Sequence, residues 1–255
     1  MKLTDKKRPR RKLFEKQIAK LFFKHSRELL PQEYQDQVTL PIEDVIIESG
    51  SLNIHGWRIP VSQSRGNIVF YHGTTATIRS WLLLFHYLHK HHYTIYAFDY
   101  PGYGKSNKST SFSSFMYDAA VINEWLQQHL PENESVILYG HSFGCYALQQ
   151  AIFEHQFTPQ KIILQSPILS IDRLLSSRMP SLFRKRFHIG QFNLDELLNS
   201  DHPLHVFIGD NDPLIPDHEL NQWKNRAKTD VIVFPGYKHA SFINPKPGLL
   251  DPIFK

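Results

Sequence analysis

Apolar residues recur along the chain in two alternating rhythms. Short runs rich in Val, Ile, Phe and Tyr are separated by longer stretches with helical spacing. From residue 45 the runs predict a leading hairpin, Val45–Glu48 and Leu52–Pro60, turning at Ser49-Gly50-Ser51. Strands follow at Asn67–Tyr71, Tyr93–Phe98, Ser135–Tyr139, Lys161–Leu164, Leu204–Ile208 and Asp230–Phe234. Helices fall between them at Ile78–His91, Phe112–Leu130 and Phe143–His155. Apolar strands alternating with helices predict an α/β fold: a mostly parallel central sheet covered on both faces, opened by an antiparallel hairpin. Residues 168–200 break the alternation. They are too long for a simple connection and carry helical material around Ile171–Ser177 and Leu194–Leu198, which predicts a short lid over the strand ends.

Ahead of this body the rhythm differs. Residues 1–12 are polar and basic, and a helix is predicted from Leu13 to about Leu30. Phe14, Ile18, Leu21 and Phe22 form one apolar stripe; Lys12, Lys16, Lys20 and Lys24 recur on another face. Three readings stay open: a helix packed on the main domain, peripheral contact with an anionic membrane surface, and nucleic-acid contact. Nucleic acid is not expected, because no recognition motif accompanies the charges. The charges are not a signal peptide, as no apolar core or small-residue cleavage site follows them. The expected organisation is a basic tail and amphipathic helix over residues 1–30 and one domain over 31–255.

Composition sharpens that division. The net charge is +5. Residues 1–27 hold eleven Lys or Arg against two acids, a charge of +9; the other 228 residues hold 18 against 22, a charge of −4. The basic character belongs to the tail and says little about the domain. No run of about 18 apolar residues predicts a transmembrane helix. The single Cys145 cannot form an internal disulfide, which fits a reducing, cytoplasmic setting, with a peripheral position on the inner face of a membrane as the variant implied by the tail.

The chemistry concentrates after the predicted strand ends. Gly140-His141-Ser142-Phe143-Gly144 is G-x-S-x-G between a strand and a helix, the context in which a sharp turn projects a serine above a sheet. Ser142 is the candidate nucleophile. The Phe143 amide, at the helix start, is a candidate oxyanion donor. A serine hydroxyl needs a base held by an acid, here in the order Ser, acid, His. Gly209–Pro216 follows a strand and offers Asp210 and Asp212; the spacing favours Asp212. His239 follows the last strand and is the candidate base, while His218 sits at a predicted helix start. The second oxyanion donor is expected from Tyr71-His72-Gly73-Thr74-Thr75, at the Thr74 amide.

These pieces resemble an α/β-hydrolase of the serine esterase/lipase group. His72-Gly73, Asp99–Ser106 (similar to a D-x-P-G-x-G-x-S turn), the Gly140–Gly144 elbow, Gly209–Pro216 and His239 occur in family order over roughly residues 45–245. The nearest branch is the compact Bem46-like, serine aminopeptidase-like one. The resemblance implies hydrolysis of an acyl ester, thioester or amide on a small-molecule acyl substrate, with no metal and no organic cofactor, and a structural rather than catalytic role for Asp99–Ser106. The chain departs from the pattern in its last segment, where Pro245, Pro247 and Pro252 interrupt the usual final helix. It also lacks the Gly-Gly-Ser-Trp-Gly elbow of proline iminopeptidases, which weighs against a peptidase. A non-catalytic binding protein on the same scaffold is the alternative outside the enzyme class. His86, His89, His91 and His92 are expected as exposed polar residues rather than metal ligands, and Cys145 as a small core residue. Arg173, Arg178, Arg184, Lys185 and Arg186 make the lid basic, as a solvated face or as a surface for an anionic or lipid-like substrate.

Overall fold

The computed structural model describes residue 23 and residues 38–178, 192–226, 228–243, 248 and 250–254. Eight strands form one sheet in the order β1-β2-β4-β3-β5-β6-β7-β8. β1 (Glu43–Ser49) and β2 (Leu52–Ile59) pair antiparallel as a hairpin, and β2 pairs antiparallel with β4 (Thr94–Phe98). The rest is parallel: β3 (Asn67–Tyr71), β5 (Val136–His141), β6 (Lys161–Gln165), β7 (Leu204–Gly209) and β8 (Thr229–Phe234).

The strands carry the mark of a sheet covered on both faces. Every residue of β3 and β4 is buried. Alternate residues feed two cores. Val69, Tyr71, Leu138 and Leu164 pack with α2 (Phe112–His129) and α3 (Gly144–Phe153). Phe70, Tyr139, Ile163 and Phe207 pack with α1 (Leu82–Lys90) and the C-terminal segment on the other face. From β3 the chain first moves to β4 on one side and then to β5 on the other. That reversal opens a crevice beyond the carboxyl ends of β3 and β5, where ligands bind in open α/β sheets.

Helix boundaries follow local chemistry. α2 starts in a capping box: Ser114 Oγ accepts the Ser111 N–H, and the Ser111 side chain accepts the N–H of the third helical residue. It ends before Pro131, which cannot continue it. The helix expected at Ile78–His91 is divided. Ile78–Trp81 forms a 3-10 turn, and α1 begins at Leu82. The buried Asp99 carboxyl accepts the Ile78 N–H at 2.8 Å and caps this first turn from outside the helix.

The insertion after β6 has a defined base. Ser170 bridges Asn193; Ile171 N–H donates to Phe192 O (3.0 Å), and Leu194 N–H to Leu169 O (2.9 Å). α4 (Ile171–Arg178) and α5 (Asp195–Asn199) flank the segment between. α6 (Asp217–Asn225) precedes β8. A 3-10 turn at Ser241–Ile243 and α7 (Asp251–Phe254), which contains Pro252, occupy the place of a regular final helix; Pro245 and Pro247 lie outside the described residues. So do the expected tail helix with its stripe Phe14, Ile18, Leu21 and Phe22, and lid residues Arg184, Lys185 and Arg186.

The histidine cluster corrects an expectation. His86, His89 and His91 are half-buried rather than exposed, and only His92 is exposed. His89 Nε2 donates to Pro60 O at 3.0 Å, while His91 packs on Tyr87 and faces Asp251 at 3.5 Å. The C-terminal segment covers this helix end, which periodicity alone does not reveal.

Candidate active site

β5 delivers Ser142 through a turn that few residue types tolerate. Ser142 has φ +52°, in the left-handed region, a strain held only where the surroundings over-determine it. Here the Ser142 N–H donates to Gln165 O on the neighbouring strand (2.9 Å), and the Cys145 N–H donates to Ser142 O (3.0 Å). The glycine at 144 is forced by space: a Cβ there would collide with the Tyr71 carbonyl oxygen of β3. Cys145 is buried, and its thiol donates to Gly140 O.

β7 and β8 bring the acid and base loops side by side. Asp210 N–H donates to Phe234 O, and Asn211 N–H to Tyr237 O. The two candidate acids then separate in role. Asp210 Oδ1 accepts the Gly236 N–H (2.7 Å), tying one loop to the other. Asp212 is 6% exposed; its Oδ1 accepts the Leu214 N–H (2.9 Å), and its Oδ2 accepts from His239 Nδ1 at 2.8 Å. The far nitrogen, His239 Nε2, accepts from Ser142 Oγ at 2.7 Å. Ser142, His239 and Asp212 thus form one continuous hydrogen-bonded chain from three different strand ends.

The loop after β3 lies against the serine. A Cβ on Gly73 would stand 3.2 Å from Ser142 Cβ. Among the described residues, neither the Thr74 nor the Phe143 amide has a hydrogen-bond partner within the chain. The sequence singles out His72 only as half of the His72-Gly73 pair, without a role; its imidazole sets this loop. It is fully buried; Nδ1 donates to Gly73 O (2.6 Å), and Nε2 accepts the Tyr100 N–H (3.4 Å). Burial pushes its pKa down to about 4, so the ring is neutral, as this pattern of one donor and one acceptor requires. The Gly73 carbonyl and the Thr74 N–H belong to one trans peptide and point opposite ways. Drawing the carbonyl to His72 therefore turns the Thr74 N–H away from it. The signal was the position of His72 directly before Gly73.

His141 and Ser166 complete the surroundings. The His141 ring lies between Trp81 (4.7 Å) and His239 (5.3 Å), and burial keeps it neutral. Ser166, itself at φ +48°, donates from Oγ to His239 O at 3.5 Å. The arrangement can generate a serine alkoxide equivalent by proton transfer to a half-buried imidazole held by a buried carboxylate. Among the described residues no group of His, Cys, Asp or Glu is placed to hold a metal ion.

Comparison with known proteins agrees with this architecture. A family model described as serine aminopeptidase, S33, matches residues 62–200. Lysophosphatidylserine lipase ABHD12 of Xenopus tropicalis is 29% identical over 177 residues, covering 62% of this chain and 46% of that protein, so the match spans about half of that relative's length. An uncharacterized protein of Mycobacterium tuberculosis is 29% identical over 217 residues, 82% of this chain and 74% of its own. Among solved structures, the Pyrococcus furiosus esterase Pf2001 superposes with TM-score 0.65 at 20% identity, covering 86% of this chain and 91% of that one. A thioesterase domain from the curacin biosynthetic pathway superposes with TM-score 0.65 at 17% identity, covering 84% and 99%. The fold is the α/β-hydrolase fold.

Proposed function

The chain belongs to the serine aminopeptidase S33 family of hydrolases, and from that premise we propose that it is a serine hydrolase cleaving acyl esters or thioesters through Ser142, His239 and Asp212. One observation carries the reading: the unbroken hydrogen-bonded chain Ser142 Oγ–His239–Asp212, at 2.7 and 2.8 Å, headed by a serine in the left-handed region. Nothing in a purely structural turn requires a buried carboxylate, an imidazole and a strained serine to align.

The mechanism follows from the geometry. Ser142 Oγ attacks the acyl carbonyl carbon while His239 Nε2 takes its proton. Asp212 holds the imidazole in the tautomer that leaves Nε2 free to accept, and stabilises the imidazolium that forms. The amides of Thr74 and Phe143 receive the oxyanion of the tetrahedral intermediate. His239 returns the proton to the departing alcohol or thiol, leaving an acyl-enzyme. Water deprotonated by His239 then releases the acid. The sequence uses only side chains and amides of this chain.

The relative named as a lysophosphatidylserine lipase makes single-chain phospholipid esters the first substrates to examine, ahead of simple acyl esters and acyl thioesters. The test combines a fluorophosphonate probe with a panel of these substrates. Wild-type protein is expected to be labelled at Ser142 and to hydrolyse at least one class. Ser142→Ala should lose the label and about 10⁴-fold or more of kcat, as removal of a triad nucleophile does. Wild-type protein that is folded yet unlabelled, or a Ser142→Ala variant with undiminished turnover, overturns the proposal in favour of a binding role.

A further inference from the structure

The turn Asp99–Ser106 follows β4, which lies beside β3 in the sheet, so it emerges next to the loop carrying Thr74. It is wound tightly. Tyr103 N–H donates to Tyr100 O, Ser106 N–H to Tyr103 O, and Ser106 Oγ to Asp99 O. Gly102 and Gly104 both sit at positive φ (+89° and +49°), and a Cβ on Gly104 would collide with the Asp99 carboxylate. This winding drives the side chain of Tyr103 inward. The ring is fully buried against the His72 imidazole, with centroids 5.3 Å apart, and the phenol donates to the Thr74 carbonyl oxygen at 2.6 Å.

We infer that Tyr103 is a positioning residue for the second oxyanion donor, holding the Thr74 peptide in place from the side opposite His72. The inference rests on the reading of Ser142 as nucleophile. Two peptide planes meet at Thr74. His72 fixes the plane before it, through the Gly73 carbonyl. Tyr103 fixes the plane after it, through the Thr74 carbonyl. With both planes fixed, φ and ψ of Thr74 are fixed, and so is the aim of its N–H. Gly73 cannot supply this rigidity, because glycine rotates freely on both sides of its Cα. Preorganised donors stabilise an oxyanion because they need no reorganisation as charge develops. A donor released on one side loses part of that advantage without losing the ability to bind substrate.

The experiment measures inhibition of wild type and Tyr103→Phe by octyl trifluoromethyl ketone and by the matching secondary alcohol. The ketone accepts Ser142 Oγ at its carbonyl carbon, the serine proton passes to His239, and the resulting hemiketal oxyanion faces the Thr74 and Phe143 amides. The alcohol fills the same space and develops no oxyanion. Removing one whole donor costs about 10²–10³ in kcat, so loosening one is expected to weaken the ketone's Ki about tenfold and lower kcat by a similar factor, with KM and the alcohol's Ki within about twofold. Ki does not depend on the fraction of variant that is folded, so partial unfolding cannot imitate this pattern. An unchanged ketone-to-alcohol ratio, or an equal loss for both ligands, overturns the positioning role. Fluorophosphonate labelling of the wild type at Ser142 separates the two claims. With label present, a failed ratio test sinks the Tyr103 role alone; with label absent, the nucleophile reading falls and takes this role with it.

Discussion

At Asp210 and Asp212 two carboxylates two residues apart have different work. The spacing before Ile215-Pro216 favoured Asp212 but left Asp210 open; only the packing of β7 beside β8 assigns partners, Gly236 N–H to one and His239 Nδ1 to the other. Asp212→Asn keeps the shape while favouring the wrong imidazole tautomer, and is expected to lower kcat by about 10⁴. Asp210→Ala, which removes the acceptor of the Gly236 N–H, should keep near wild-type turnover and lose about 1 kcal/mol of stability in urea titration, the net worth of one loop hydrogen bond. A reversed order of activity losses would reassign the acid. A second residue pair carries a pH signature. His72 resists protonation down to about 4 from the ordinary 6.5, so the unfolded chain binds more protons in that window, and this group's contribution to stability falls as pH drops through it. Asp99, raised to about 7 by burial, keeps its proton when the unfolded chain has released one, so its contribution falls as pH rises from about 4 to 7. The two slopes oppose each other. Asp99→Asn should expose the His72 slope, up to about 1.4 kcal/mol per pH unit, as a urea midpoint that drops on acidification from about pH 6.5 to 4.5. A variant whose midpoint stays flat over that range would show that His72 is not held neutral. None of this was legible from the sequence, because burial and partner identity come from residues far apart along the chain.

Elements were more legible than partners. Strands that are apolar throughout, such as Asn67–Tyr71, announce themselves by composition, and every predicted strand has its counterpart within about two residues. Where the sequence reading went wrong, a long-range contact intervened. The 3-10 turn at Ile78–Trp81 is capped by Asp99, on another strand end, which takes the Ile78 N–H. The same turn places Trp81, which is fully buried, against Phe70 (4.9 Å) and His141 (4.7 Å), so the packing of α1 reaches the elbow itself. Trp81→Ala is expected to cost about 3–5 kcal/mol, seen as a loss of thermal stability, since a large aromatic leaves a cavity that a close-packed sheet cannot fill. Trp81→Phe, which keeps most of the volume, should recover most of it. Equal melting temperatures for Trp81→Ala and wild type would show that this contact contributes little. Phe143 has the same double character on the opposite face. Its amide neighbours Ser142, while its ring packs among Phe112, Phe115, Tyr146 and Phe192.

For the whole molecule the division of charge is the property that no single site explains. The +9 of residues 1–27 faces a remainder of −4. Within that tail Phe23 is described by the structure: it is 3% exposed and packs edge-on against Phe112 (5.0 Å) and Phe143 (5.4 Å). One point of the tail therefore lies in the same aromatic cluster as the ring of Phe143, although Phe23 falls outside the stripe Phe14, Ile18, Leu21 and Phe22 that periodicity selects. Among the described residues no helix is long and apolar enough to cross a membrane. Juxtaposed basic residues gain about 1 kcal/mol each near an anionic bilayer, and the gain is screened by salt. With Phe23 tethering its downstream end, a basic segment bound to such a surface would hold the domain beside it and bring Ser142 to lipid-derived esters. The expected outcome is flotation of the full chain with vesicles containing phosphatidylserine at low salt. Flotation should be lost at about 0.5 M salt, where the screening length is only a few ångströms. A chain lacking residues 1–22, which retains Phe23, should stay in the soluble fraction while hydrolysing a short soluble ester at the wild-type rate. Equal flotation of both proteins would assign the contact to the domain instead, and no flotation of either would leave the basic residues with no role at an anionic bilayer.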